Sequence, residues 1–393
     1  MAFGTRLAYT AWPMSKSVVI CGAGIGGLTA GIALRQRGFD VRILERAAKL
    51  EAAGAGITVQ VNAMRVMHRL GIANAIAAEG ANVDGGAIRR ADGKKLRAMS
   101  QLDLVRQYGV PFVAIHRARL QDVLLRAFGA ERVTTGATVV GVTPSPESAT
   151  VALADGTTES ADFVIGADGL NSAVRTALLG HETPRAAGQI AWRGICPRAA
   201  IAGDAGGETW GRGARFGFVA INDAEAYWYA VVDTVFAPSE REEQHPFLID
   251  FYRDWHTPVP AILAATDPAR VIRTELFDRL PSDTWGRGTV TLLGDAAHPM
   301  TPNLGQGGCQ AIEDAWVLAR ELAREPSATG LRRYEAARQP RTKRFVEESW
   351  RFGQVSQSQN AAFMAVRNFA MRVLPESLMQ RSLAWAFAVD LDK

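Results

Sequence analysis

The chain has 393 residues, 48% apolar and 21% charged, enough to bury a sizeable core and outside the composition of a disordered protein. Its 44 Lys and Arg against 40 Asp and Glu leave a net charge of +4, with no run of five like charges, which argues against a nucleic-acid-binding arm. The three cysteines, Cys21, Cys196 and Cys309, form no CxxC pair, which argues against a disulfide framework or zinc ribbon, and no metal site is expected. Free thiols suit a reducing compartment, and the expected location is the cytoplasm. No segment reaches 18 apolar residues in a row, so no integral membrane segment is expected. At roughly 150 residues per domain, the length suits two or three units.

Residues 1–14 read as an extension without the apolar stretch of a signal peptide, and Met14 is an alternative start. The short apolar run Ser17–Cys21 has the pattern of a buried parallel strand. It leads into Gly22-Ala23-Gly24-Ile25-Gly26-Gly27 and a helical stripe of Ile25, Leu28, Ile32 and Ala33 that stops near Gly38. A second strand follows and ends at Glu45-Arg46. This is the strand, GxGxxG, helix, strand and acid order of a dinucleotide-binding unit. Gly22 permits the tight turn, Gly24 lets a pyrophosphate approach, and Gly27 lets the helix pack close to the strand. Glu45 is placed to accept from ribose hydroxyls and disfavours a 2′-phosphate, leaving FAD or NAD.

Further along, residues 87–97 read as a hairpin about Asp92-Gly93, and Ile115 to Leu120 opens a helix carrying Arg117. Ser160 to Ile165 reads as one strand entering Gly166-Ala167-Asp168-Gly169. Residues 187–198, 207–222 and 226–235 alternate in the manner of an antiparallel sheet, with a helical stretch from Glu242 to Arg253 beside it. Thr289 to Leu293 is a strand entering Gly294-Asp295-Ala296-Ala297-His298-Pro299. The segment Gly305-Gln306-Gly307-Gly308 opens an amphipathic helix burying Ile312, Ala315, Trp316, Ala319 and Leu322. Residues 331–358 read as a long charged helix. Two amphipathic helices then flank Pro375 and carry Met364, Val366, Phe369, Met371, Leu378, Leu383, Trp385 and Phe387. They are expected to pack back onto the body, with a membrane-surface or partner role as the alternative.

The GxGxxG, Asp168-Gly169 and Gly294-Asp295 segments stand in the order of the class A FAD-dependent aromatic monooxygenases, and about residues 15–390 resemble that family. Trp192 to Gly194 and Trp210 to Gly217 resemble its urate hydroxylase, zeaxanthin epoxidase and quinolone hydroxylase branch. The resemblance implies an α/β fold, with a Rossmann-like FAD-binding domain of the GR2 type, an inserted antiparallel-sheet substrate domain and C-terminal helices. The expected partition is 15–75, 108–182 and 286–330 for FAD, 76–107 and 183–285 for substrate, and 331–393 for the tail. With one complete GxGxxG in the chain, NADH or NADPH is expected to bind only transiently.

The implied activity is NAD(P)H-consuming insertion of one oxygen atom from O2 into a planar aromatic or heteroaromatic molecule through a flavin C4a-hydroperoxide. The alternative is a flavin-dependent oxidoreductase without oxygen insertion. By resemblance, the FAD-binding residues are Gly22, Gly24, Ile25, Gly26, Gly27, Glu45, Arg46, Arg117, Asp168, Asp295, Gly305, Gln306, Gly307 and Gly308. Asp168 serves either the cofactor or its own turn. Tyr229, Arg193, His298 and Pro299 are the candidate catalytic residues, with a structural role open for Tyr229, Arg193 and His298. Arg215, Phe216, Phe218 and Met300 are candidate pocket residues, with a scaffold or plain core role as the alternative. The Thr301-Pro302-Asn303 loop lacks an acid or base and favours a neutral, fairly apolar ligand. The expected assembly is a monomer or weak dimer without nucleic acid.

Overall fold

In the computed structural model, described here for residues 15–50, 55–201, 203–238, 244–375, 378 and 384–392, the chain forms two large sheets, one of six strands and one of seven. The 1–14 extension and Leu383 lie outside the described residues.

The first sheet has six strands in the order Gly286–Arg287, Val290–Leu292, Phe163–Gly166, Ser17–Cys21, Asp40–Glu45 and Val133–Thr135. All its pairings are parallel except the edge hairpin of Gly286–Arg287 with Val290–Leu292. Parallel strands covered on both faces must be apolar throughout, which is why Val18, Val19, Ile20, Val164 and Ile165 are all buried. The helix Ile25–Arg35 follows Ser17–Cys21 and packs against the helix Gly307–Arg324.

The second sheet has seven strands in the order Ile272–Asp278, Arg185–Pro197, Glu225–Asp233, Ala214–Ala220, Gly207–Trp210, Gly85–Arg90 and Lys95–Ser100. It is antiparallel except where Gly207–Trp210 runs parallel to Gly85–Arg90. Its period of two separates two faces. Trp192, Phe216, Phe218, Trp228 and Ala230 pack with Leu248 and Tyr252 of the helix Gln244–Tyr252 and with Ile262 of the helix Val259–Ala264. Ala191, Ile195, Tyr227 and Val231 lie on the opposite face.

Two expectations need correction. Ser160 to Ile165 is not one strand: Thr158–Ala161 belongs to a three-stranded sheet and Phe163–Gly166 to the parallel sheet. The break falls at Asp162, whose carboxylate accepts from Ser17 N and Oγ, both at 2.8 Å, and from Lys16 Nζ at 2.6 Å. Residues 207–222, read as alternating sequence with glycine turns, form the strands Gly207–Trp210 and Ala214–Ala220 about a turn at 211–213, where Gly213 has φ +63°. The tail packs back only in part. Trp385 lies against Phe345 with ring centroids 4.5 Å apart, but Val366 and Phe369 on the helix Ala361–Val373 face outward.

Candidate FAD and substrate site

A cleft of about 380 Å³ runs along the carboxyl ends of the parallel strands, where ligands enter open α/β sheets. It is lined by Gly22, Gly24, Ile25, Gly26, Glu45, Arg46, Arg117, Asp168, Asp295, Gly307 and Gly308, gathering eleven of the residues expected at the cofactor from six separate segments. Gly27, Gly305 and Gln306, also expected at the cofactor, are not among the lining residues.

The glycines there have distinct reasons. Gly22 has φ +109°, and a side chain on it would overlap the Ala167 carbonyl. A side chain on Gly27 would overlap the Gly22 carbonyl, so close helix–strand packing demands glycine. Gly24 differs: nothing lies within 4 Å of where its Cβ would stand, so it fronts open cleft.

Two helices begin at this cleft, Ile25–Arg35 and Gly307–Arg324, and no side chain caps either one. By contrast, Ser172, Ser327 and Asn360 cap the helices that follow them. Gln306 precedes the second helix but sends its amide to Gln60 Oε1 at 2.6 Å and accepts from Asn62 at 3.0 Å. The uncapped N–H groups supply positive potential without a protein acceptor, which fits an anionic pyrophosphate at one end and an electron-rich ring edge at the other. Glu45 is held at the rim by N–H donors from Ala23 at 2.8 Å and Ala47 at 2.9 Å, leaving acceptor capacity for a ribose.

Asp295 opens onto the cleft, while surrounding protein raises its pKa, with His298 and Arg117 opposing the rise. Its exposure to the cleft is what matters for binding, because a ligand's hydroxyl reaches it from there. Asp168 also lines the cleft, but its carboxylate accepts from Ser172 Oγ at 2.5 Å, Ala173 N at 2.8 Å and Val174 N at 3.2 Å. It caps and braces the helix Ala173–Leu179, which favours the turn-stabilising alternative.

His298 is buried, and its Nε2 stands 2.6 Å from Asp314 Oδ2. Asp314 also accepts from Gly294 N at 3.0 Å and from Arg338 Nε at 2.6 Å. Arg338 in turn bonds Glu313 at 2.6 Å, and Glu313 accepts from Asn62 at 2.6 Å. Burial alone would raise the Asp314 pKa, but His298 and Arg338 bring it down to about 2. His298 therefore braces the Gly294-Asp295 turn from behind. Sequence reasoning missed Glu313, Asp314 and Arg338; the available signal was two acids on the apolar side of a helix, which demand a buried cation.

On the substrate side, Tyr229 is half-buried, with its hydroxyl directed at Glu208. Burial pushes its pKa well above the usual value, with Glu208 reinforcing and Arg215 opposing. Arg215 is buried and bonded to Glu208 at 3.0 Å, Gln357 at 3.0 Å and Asn303 at 2.5 Å. Arg193 is half-buried and hydrogen-bonds the Tyr227 hydroxyl. Pro299 is buried, and Met300 stands near Gly307 at the helix start. Phe216 and Phe218 do not face this side. Phe216 stacks on Trp228 with centroids 5.6 Å apart, and both phenylalanines belong to the core on the far face, because they have the opposite parity from Arg215. The three thiols are buried with raised pKa values, which makes them poor nucleophiles.

Comparison with known proteins agrees with this geometry. The FAD binding domain family matches residues 15–349. The chain is 42% identical over 360 residues to the aurachin C monooxygenase/isomerase of Stigmatella aurantiaca, covering 91% of this chain and 94% of the relative. It is 31% identical over 371 residues to the 2-heptyl-3-hydroxy-4(1H)-quinolone synthase of Pseudomonas aeruginosa, covering 93% and 96%. Klebsiella pneumoniae HpxO, solved with FAD and uric acid, superposes with a TM-score of 0.89 at 29% identity, covering 97% of this chain and 98% of the other. The chain belongs to the FAD binding domain family, in the class A flavin monooxygenase fold. Within that class it is an FAD-dependent monooxygenase, or hydroxylase.

Proposed function

We propose that this monooxygenase hydroxylates or epoxidises an uncharged N-heteroaromatic of the quinolone type that carries an apolar chain. The observation that carries this reading is the commitment of Arg215: Glu208, Gln357 and Asn303 all take hydrogen bonds from its guanidinium, so it is not available to a substrate carboxylate. Val231 stands across the strand pair from Arg215, and it packs with Ala191 and Leu276 on the same face of the sheet. The 2-heptyl-3-hydroxy-4(1H)-quinolone synthases among its relatives support the same class.

Bound FAD, once reduced by NAD(P)H, supplies activation of dioxygen and transfer of one oxygen atom. The chain's own residues hold and orient. The N–H groups at the start of Ile25–Arg35 and the Glu45 carboxylate would hold the pyrophosphate and ribose, Arg46 and Arg117 would neutralise the anionic linker, Asp295 would accept from the ribityl hydroxyls, and the N–H groups from Gly305 to Gly308 would hold the ring edge. Tyr229 keeps its proton through the physiological range and donates it to Glu208 or to a substrate carbonyl, fixing the ring's orientation. Pro299 and Met300 exclude water beside the helix start. The partition into 15–75, 108–182 and 286–330 for FAD, and 76–107 and 183–285 for substrate, is supported by strand membership: each large sheet draws its strands from one set alone.

A panel of 2-alkyl-4-quinolones, unsubstituted quinolones, carboxylated phenols and urate, scored for stimulated NAD(P)H oxidation with matching product, tests this reading. Alkylquinolones are expected to give the highest kcat/KM. A carboxylated phenol or urate as the best substrate would overturn it.

A further inference from the structure

We propose that the outward face of the helix Ala361–Val373, with the basic groove at its C-terminal end, is a docking surface for an anionic lipid bilayer. The helix is fastened from its inner side. Arg367 is buried and donates to the carbonyls of Val355 at 2.9 Å and Ser356 at 2.8 Å. Met371 packs with Ile88, Leu96 and Trp210, and Arg97 donates to the Met371 carbonyl at 3.1 Å.

The outer side is apolar. Phe363, Val366, Phe369 and Val373 are 44%, 68%, 67% and 56% exposed. Their spacing of three, three and four residues sets them on one arc of the helix. Large apolar side chains scattered singly are ordinary on a protein surface, but a contiguous row along one helix marks an interaction face. Among the described residues no helix is long and apolar enough to cross a membrane, and 13 residues make a helix about 20 Å long, suited to lying in the interfacial plane.

Charge selects the occupant. Lys95, Arg97 and Arg372 line one shallow groove with Leu96, Ala98 and Met371, and no acid is among them. Lys94 beside them has a side chain 74% exposed and stands 4.0 Å from Asp92, so the uncompensated charge of the groove rests on Lys95, Arg97 and Arg372. Cations flanking an apolar helix face complement anionic headgroups. A second copy of the chain is the competing occupant, and the oligomeric state of the double variant separates it.

The test uses the full-length, FAD-loaded protein and co-sedimentation with vesicles of phosphatidylcholine, with or without phosphatidylglycerol. The wild type is expected to pellet with the anionic vesicles and to be released at high salt. The double variant V366D/F369D is expected to lose roughly tenfold or more of that partitioning while keeping its bound flavin and Tm. Val140→Asp, which alters another exposed apolar side chain on the strand Val139–Pro144, is expected to leave binding unchanged. Three results would overturn the proposal: equal partitioning of wild type and double variant, equal binding to neutral and anionic vesicles, or a dimer dissolved by V366D/F369D with no vesicle binding.

Discussion

Gly24 and Gly27 stand three positions apart in one turn, yet a side chain meets open cleft at the first and the Gly22 carbonyl at the second. Gly24→Val is therefore expected to leave a folded protein with its apo Tm intact and its yellow flavin lost. Gly27→Val is expected to lower the Tm of the apoprotein as well, because helix and strand must separate. Thermal melts with flavin absorbance read both outcomes; a Gly24→Val protein with full flavin content contradicts the account. Asp314 carries a second residue-scale prediction. Its folded pKa of about 2 lies below the unfolded value of about 3.9. The stability it contributes, about 2 kcal/mol, is therefore full above pH ~4 and is lost as pH falls toward 2. Asp314→Asn is expected to be less stable at neutral pH and to show a shallower loss of stability across that acid window, as followed by circular dichroism. At this scale the GxGxxG glycines were legible because each answers a local backbone need. Asp314 and Arg338 were not, because their pairing joins two helices whose packing no local pattern specifies.

The strand Ala214–Ala220 shows what one element decides. Alternation places Arg215 and Phe216 on opposite faces, and only the position of the FAD sheet determines which face is the substrate's. The sequence pattern contained the alternation but not the choice, which is why Phe216 and Phe218 stood open between pocket wall and plain core. Phe216→Ala is expected to cost about 3–5 kcal/mol of stability while leaving the KM of the residual folded enzyme unchanged. Tyr229→Phe is expected to leave the melting temperature nearly unchanged and to lower kcat/KM roughly tenfold, by removing an orienting hydroxyl. Denaturant unfolding beside steady-state kinetics separates the two; a KM change in Phe216→Ala and none in Tyr229→Phe would reverse the assignment of faces. The break at Asp162 follows the same logic. The run Ser160 to Ile165 reads as one strand, and only the three bonds from Lys16 and Ser17 to Asp162 reveal that the chain changes sheet there.

At the scale of the whole molecule, the order of the three cofactor segments made the architecture legible. Each is a strand ending in a glycine turn, and parallel strands of that kind must place their carboxyl ends together. The cleft accordingly gathers residues from position 22 to position 308. The substrate side was less legible, since its chemistry depends on Arg215 being bonded to Glu208, Asn303 and Gln357, from three other parts of the chain. The central claim is that this assembly inserts an oxygen atom from O2. Turnover of the best quinolone under 18O2, read by product mass, tests it most directly. The account predicts one 18O atom per product, with one NAD(P)H oxidised per product formed. Product formed equally well without oxygen, or carrying only oxygen from water, would contradict it.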